Sequence, residues 1–154
     1  MDFYLVRHGD AVAESFDERR PLSRLGRDQV DQVARLAVQK QTQVAVIFHS
    51  GILRAEQTAQ ILAQRLRPRQ GIMPMSGLLP QDDPALAAAW LATAEDSIML
   101  VGHLPFMNRL GALLVTGDPD RDVIAFTPAT IVCCAQQPSG WSVKWILAPQ
   151  ANPS

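Results

Sequence analysis

Short apolar runs alternate with amphipathic stretches along most of the chain. Phe3-Tyr4-Leu5-Val6, Val44 to Phe48 and Ile98-Met99-Leu100-Val101 are apolar without interruption, the pattern of strands covered on both faces. Between the first two, Val30, Val33, Ala34 and Ala37 recur at i, i+3, i+4 and i+7 behind Ser23, a good helix N-cap. Ala55, Thr58, Ala59, Leu62 and Leu66 share one face of a second helix. A short strand is expected around Ile72 to Met75. Asp82-Asp83-Pro84 then opens a third helix, with Asp as cap and Pro at the first helical position, and Leu86, Ala89, Trp90 and Thr93 as its stripe. Phe106, Leu110, Leu113 and Leu114 mark a fourth helix ending near Gly117.

The C-terminal part reads differently. Thr130 to Ala135 and Trp141 to Leu147 flank Gln137-Pro138-Ser139-Gly140, which predicts a hairpin. Trp141, Val143, Trp145 and Leu147 alternate with Ser142 and Lys144, as in a half-exposed strand near a sheet edge. Pro149 to Ser154 is expected to be a loose end. Alternating strands and helices predict an α/β fold, a mostly parallel sheet with helices on both faces, with an antiparallel strand added by the hairpin. No repeat, linker or low-complexity tract divides the sequence, so residues 1–154 are read as one domain.

Composition narrows the function classes. A formal net charge of -1 on 154 residues gives no general reason to expect nucleic acid as a partner. Arg supplies twelve of the fourteen basic residues, and its planar fork suits phosphate and carboxylate oxygens. Most of the twelve are read as solvated surface. Cys133 and Cys134 are neighbours, which a strand points to opposite faces, so they make neither a disulfide nor a metal pair. No stretch approaches the roughly 18 apolar residues that span a bilayer, and no positive segment precedes Phe3 as a secretory signal would need. A reducing, cytoplasmic setting without membrane attachment is the expectation.

The chemistry gathers at strand ends. In open α/β sheets, ligands sit beyond the carboxyl ends of the strands. The first strand runs into Arg7-His8-Gly9, the second leads through Ser50-Gly51 to Arg54, and the fourth runs into Gly102-His103. Two arginines and two histidines in one crevice repel one another unless an anion sits between them. A phosphoryl group answers that demand through Arg forks and helix N-termini, and a neutral imidazole can attack phosphorus to give a covalent phospho-enzyme. Gly9 would let the backbone approach the bound group closely. A single histidine after a strand is more often structural, and His49 is read that way.

These segments carry a resemblance. Leu5-Val6-Arg7-His8-Gly9-Asp10-Ala11 resembles the signature of the histidine phosphatase (phosphoglycerate mutase-like) superfamily. Ser50-Gly51-Ile52-Leu53-Arg54-Ala55-Glu56-Gln57-Thr58-Ala59 is similar to its second motif and Gly102-His103-Leu104-Pro105 to its third. Arg20-Pro21-Leu22-Ser23 with Gly26, and the length of the chain, resemble its short phosphohistidine phosphatase branch, the SixA type. The resemblance spans roughly residues 3 to 147 and implies a three-layer α/β/α sandwich. It implies His8 as nucleophile, Arg7 and Arg54 as clamps on the phosphoryl oxygens, and His103 as a hydrogen-bond partner of the transferring group. Arg20 is implied in the same phosphate pocket, and neither metal nor other cofactor is called for.

Two departures from that family matter. Its second motif usually has Pro after Ser, where this chain has Gly51; a change in loop stiffness is the expectation. Its mutase and phosphomonoesterase branches use a Glu proton donor after the third strand. Here that segment is Met75-Ser76-Gly77-Leu78-Leu79-Pro80-Gln81-Asp82-Asp83, without Glu, and both aspartates read as helix caps. Expelling an alkoxide needs a placed acid, worth about 10²–10⁴ in rate, whereas the imidazole of a phosphohistidine is readily protonated near neutral pH. Hydrolysis of a protein phosphohistidine is therefore the leading expectation. By resemblance the partner is a histidine phosphotransfer domain or a phosphocarrier protein. A small-molecule phosphomonoesterase and a phosphate-binding regulatory module without turnover are the alternatives. A metal hydrolase built from His8, His49, His103 and Asp10 lacks ligand spacing.

Overall fold

Residues 1–150 are described by a computed structural model. The three apolar runs become β1 (Asp2–Arg7), β2 (Val46–His49) and β4 (Ile98–Gly102), and the short strand is β3 (Ile72–Pro74). The helices are α1 (Arg24–Gln39), α2 (Leu53–Leu66), α3 (Pro84–Ala92) and α4 (Phe106–Thr116), and the hairpin is β5 (Ile131–Gln137) with β6 (Gly140–Leu147). The sheet order is β3-β2-β4-β1-β5-β6. β3, β2, β4 and β1 are parallel, while β5 opposes both β1 and β6, so β5 alone runs against the rest. This is the expected α/β/α sandwich.

Strand alternation sorts the core into two layers. Tyr4, Val6, Met99, Val101, Ile131 and Cys133 face α1 and α2, where they meet Val30, Val33, Ala34, Ala37, Ala59 and Leu62. Phe3, Leu5, Leu100, Val132 and Cys134 face α3 and α4, against Leu91, Phe106, Met107 and Leu110. The neighbouring cysteines therefore sit in different layers, both buried and both free. Among the described residues no helix is long and apolar enough to cross a membrane.

Two expectations are corrected. The buried face of α3 is Pro84, Ala87 and Leu91, whereas Leu86 is 68% exposed and Trp90 36% exposed. The segment from Pro84 to Ala92 is apolar on every side, so its periodicity does not select a face. Trp90 instead leans edge-on against Phe48, ring centroids 5.2 Å apart. In β6 the register shifts between Cys133 and Cys134, which leaves Lys144 as an extra residue. A bulge of one residue reverses the side-chain alternation. Trp141 and Val143 therefore pack with the α3/α4 layer and Trp145 and Leu147 with the α1/α2 layer. The loose end expected from Pro149 to Ser154 lies outside the described residues at 151–154; before them, Gln150 N–H donates to Gln32 Oε1 at 3.0 Å.

The start of α1 is where the core meets the loop after β1. Ser23 caps the helix by accepting from Gly26 N–H at 3.0 Å, an arrangement worth about 1 kcal/mol. The Ser23 hydroxyl also donates to Asp10 Oδ2 at 2.6 Å, and Ser23 N–H donates to the Asp10 carbonyl at 2.9 Å. Gly26 lets the loop lie directly on the helix, because a Cβ there would stand 2.1 Å from the Asp10 carbonyl oxygen. We expect Gly26→Ala to cost about 3 kcal/mol by urea denaturation, at the upper end of ordinary overpacking. Arg27→Ala, one exposed residue along, is expected to change stability by less than about 0.5 kcal/mol. Equal stability of the two variants would contradict this close packing.

Candidate active site

The carboxyl end of β1 is pinned from both sides. His8 N–H donates to the Gly102 carbonyl at 2.9 Å, and Arg7 N–H donates to the Thr130 carbonyl at 3.2 Å. Arg7 Nη1 also donates to the Phe126 carbonyl at 2.8 Å, from the segment leading into β5. His8 Nδ1 lies 2.7 Å from the Gly9 carbonyl oxygen. A carbonyl can only accept, so this bond places the proton on Nδ1 and leaves the Nε2 lone pair free. Sequence reasoning assigned Gly9 to the bound anion. Its N–H is instead given to Thr58 Oγ1 at 3.1 Å, and the space a Cβ would need is taken by Val30 Cγ2 at 2.7 Å.

Arg54 stands in the first turn of α2, and Thr58 one turn later donates its hydroxyl to the Arg54 carbonyl at 2.8 Å. Thr58 thus joins the first motif to the second. The signal for it was its place on the apolar face of α2, where a buried hydroxyl needs partners. Gln57, from the same motif, accepts from Leu22 N–H at 2.8 Å and holds the strap that carries Arg20. Arg20 has a left-handed backbone, φ 49°, and its Nε donates to the Val12 carbonyl at 3.1 Å. Gly51 has φ 89°, which a proline locked near −65° could not adopt. The departure at this position is therefore a different backbone path and not only a change in stiffness.

His103 follows β4 and is 1% exposed. Its ring centroid lies 5.0 Å from that of His8, and its Nε2 is 2.6 Å from Ser50 Oγ, a contact sequence reasoning missed. His49 points elsewhere, its Nδ1 accepting from Gly51 N–H at 3.1 Å, in keeping with a structural role. No group of three His, Cys, Asp or Glu side chains that could hold a metal ion occurs among the described residues.

The electrostatics are one-sided. Burial pushes His8 down to about 4, and the cations Arg54, Arg7 and Arg20 push in the same direction against the Gly9 hydrogen bond. Burial likewise pushes His103 down to about 3, with His8 and Arg54 adding to it. Burial lowers both Arg7 and Arg54 from the usual guanidinium value. Among the described residues the ion pairs use Arg19, Arg35, Arg65, Arg69, Arg109 and Lys144; Arg7, Arg20 and Arg54 make none. Arg7 Nε, Arg54 Nε and His103 Nδ1 are buried with no hydrogen-bond partner in the protein. Such groups cost free energy unless an anion receives them.

Both histidines are neutral in the fold, with values below the 6.5 of an unfolded histidine. Between pH 6.5 and about 4 the unfolded chain holds more protons, so their contribution to stability falls as pH drops through that window. Above pH 6.5 both states are neutral and the contribution is constant. We expect urea-denaturation stability to decline from pH 6.5 to 4 and His103→Gln to make the decline shallower. A slope unchanged by His103→Gln would contradict the neutral, buried His103.

Comparison with known proteins agrees with this geometry. Residues 3–76 match the model of the histidine phosphatase superfamily (branch 1). The chain is 27% identical over 155 residues to the phosphohistidine phosphatase SixA of Escherichia coli, covering 97% of this chain and 94% of that protein. It is 32% identical over 125 residues to an uncharacterized protein of Picosynechococcus, covering 76% and 74%. The solved structure of the protein histidine phosphatase SixA complexed with tungstate superposes with a TM-score of 0.84 at 26% identity, covering 97% of each chain. With its motifs on the matching fold, the chain belongs to the histidine phosphatase superfamily and is a hydrolase acting on phosphoryl groups.

Proposed function

We propose that this phosphatase hydrolyses a phosphohistidine on a protein, with His8 as the transient phosphoryl carrier. The observation that carries the reading is the all-cationic surrounding of two neutral histidines. The charged groups acting on His8 are Arg54, Arg7 and Arg20, and His103 feels Arg54 and the neighbouring His8 ring; no carboxylate is among them. The carboxylates after β3 accept backbone N–H bonds, Asp82 while lining the same cleft as Ser50. Asp82 Oδ2 accepts from Leu79 N–H at 2.9 Å and Asp83 Oδ1 accepts from Ala85 N–H at 2.9 Å.

The roles follow from that arrangement. Arg7, Arg54 and Arg20 take the phosphoryl oxygens, His103 donates to the transferring group, and His8 Nε2 attacks phosphorus. The P–Nε2 bond forms as the bond to the substrate imidazole breaks. The departing nitrogen keeps the electron pair and is protonated from water. A second in-line attack, by water, then releases phosphate and restores His8. An alkoxide leaving group would need a placed acid, worth about 10²–10⁴ in rate, and no carboxylate acts on either histidine. The SixA relative is named for phosphohistidine as its substrate, and the reading extends to a histidine phosphotransfer domain or phosphocarrier protein as partner. Free thiols at Cys133 and Cys134, pushed up by burial to about 11 and about 12, suit a reducing cytoplasm.

Phosphate release from a phosphohistidine-bearing protein and from p-nitrophenyl phosphate, with a chelator present, tests the proposal. The phosphohistidine protein is expected to turn over at least about 10²-fold faster than the ester. His8→Ala is expected to abolish turnover, and Arg54→Ala to lower kcat by about 10²–10³. Comparable turnover of the ester would sink the phosphohistidine reading in favour of a phosphomonoesterase. Oxyanion binding without turnover of either substrate would leave a phosphate-binding module.

A further inference from the structure

Ser50 stands at the junction of the second and third motifs without belonging to the set that holds an anion. Its Oγ accepts from Ile52 N–H at 3.3 Å and lies 2.6 Å from His103 Nε2. The opposite ring nitrogen, Nδ1, is buried without a protein partner, as are Arg7 Nε and Arg54 Nε. A neutral imidazole carries one N–H and one lone pair, so the Ser50 bond decides what Nδ1 can offer.

The two arrangements differ in what they leave unmet. With the proton on Nε2, His103 donates to Ser50 and the Ser50 hydrogen is left without use for this bond. Nδ1 is then a bare lone pair, which repels the oxygens of a phosphoryl group. With the proton on Nδ1, the Ile52 amide donates to Ser50, Ser50 donates to Nε2, and Nδ1–H joins the two arginine Nε–H groups as a third unspent donor. Three orphaned donors beside two histidines on which no carboxylate acts make one coherent demand for an anion. We propose that Ser50 is a positioning residue that fixes His103 as the Nδ1–H tautomer, so that a neutral histidine donates to the phosphoryl group. The inference rests on the phosphotransfer role of His8, but not on the identity of the leaving group.

The device has a physical rationale. A protonated His103 beside His8 and Arg54 would add a further positive charge to the pocket, and burial holds the ring neutral near pH 7. Neutrality alone does not choose the tautomer. A second-layer hydroxyl does so by occupying one nitrogen, as carbonyls do for metal-binding histidines. His8 is handled in the same way by the Gly9 carbonyl. The two rings thus carry protons on the same kind of nitrogen for opposite purposes. His8 Nε2 is freed to attack, and His103 Nδ1–H is freed to donate.

Long-range ¹⁵N–¹H correlation spectra of the imidazole rings, recorded on the whole protein at pH 7, read the tautomer directly. Wild type is expected to show His103 as Nδ1–H, with that signal shifting when orthovanadate is added. Ser50→Ala is expected to move His103 toward Nε2–H or a mixture and to lower kcat by about 10- to 100-fold, with little change in KM. Ser50→Thr, which keeps the hydroxyl, is expected to restore both the tautomer and the rate. An Nε2–H tautomer in wild type, or an unchanged His103 signal in Ser50→Ala, would overturn the proposal. Because the spectra involve no substrate, they can fail while phosphohistidine hydrolysis stands, and the reverse.

Discussion

Like charges brought together without a counter-ion are expensive, and this fold brings together three. Arg7, Arg20 and Arg54 converge on His8 without an ion-pair partner, whereas Arg19, Arg35, Arg65, Arg69 and Arg109 each have one. Two unit charges about 4 Å apart interact by about 4 kcal/mol at an effective dielectric of 20. The protein meets this cost by keeping both histidines neutral and by fixing the cations through backbone carbonyls, Phe126 for Arg7 and Val12 for Arg20. Carbonyl oxygens orient a guanidinium without cancelling its charge. The field therefore stays available for an anion that arrives from outside.

The two pocket histidines and Arg54 stand at the ends of rigid elements, while loop carbonyls at Val12 and Phe126 hold Arg20 and Arg7. β1 and β4 are central strands, paired in register from Tyr4 with Met99 to Arg7 with Gly102, and each ends at a pocket histidine. Two apolar layers clamp those strands, so the histidines inherit the positional precision of the core. The same sheet explains why β5 is reversed. It delivers Thr130 beside Arg7 rather than at the far end, and the preceding segment supplies the Phe126 carbonyl.

Much of this was legible in the sequence because the relevant signals are local. Apolar runs ending in Arg7-His8, in His49-Ser50 and in Gly102-His103 announced both the strands and the crevice at their carboxyl ends. What escaped depends on geometry that spacing does not encode. The buried face of α3 was undetermined because an Ala-rich segment is apolar all round. The bulge at Lys144 leaves no mark in the alternation of Trp141, Val143, Trp145 and Leu147, yet it sends the two halves to opposite layers. Ser50, Thr58 and Gln57 were read as motif letters or helix face. Their hydrogen bonds cross 53, 49 and 35 residues of sequence, and only the folded chain shows them.

The account depends on His8 and His103 being neutral among arginines that have no ion-pair partner. Titration of the histidine ring signals by NMR, in the free protein and with inorganic phosphate, addresses this directly. The account predicts that His8 titrates near 4 and His103 near 3 in the free protein, and that phosphate raises both by supplying the missing negative charge. Titration of either ring near 6.5 in the free protein, unmoved by phosphate, would contradict it.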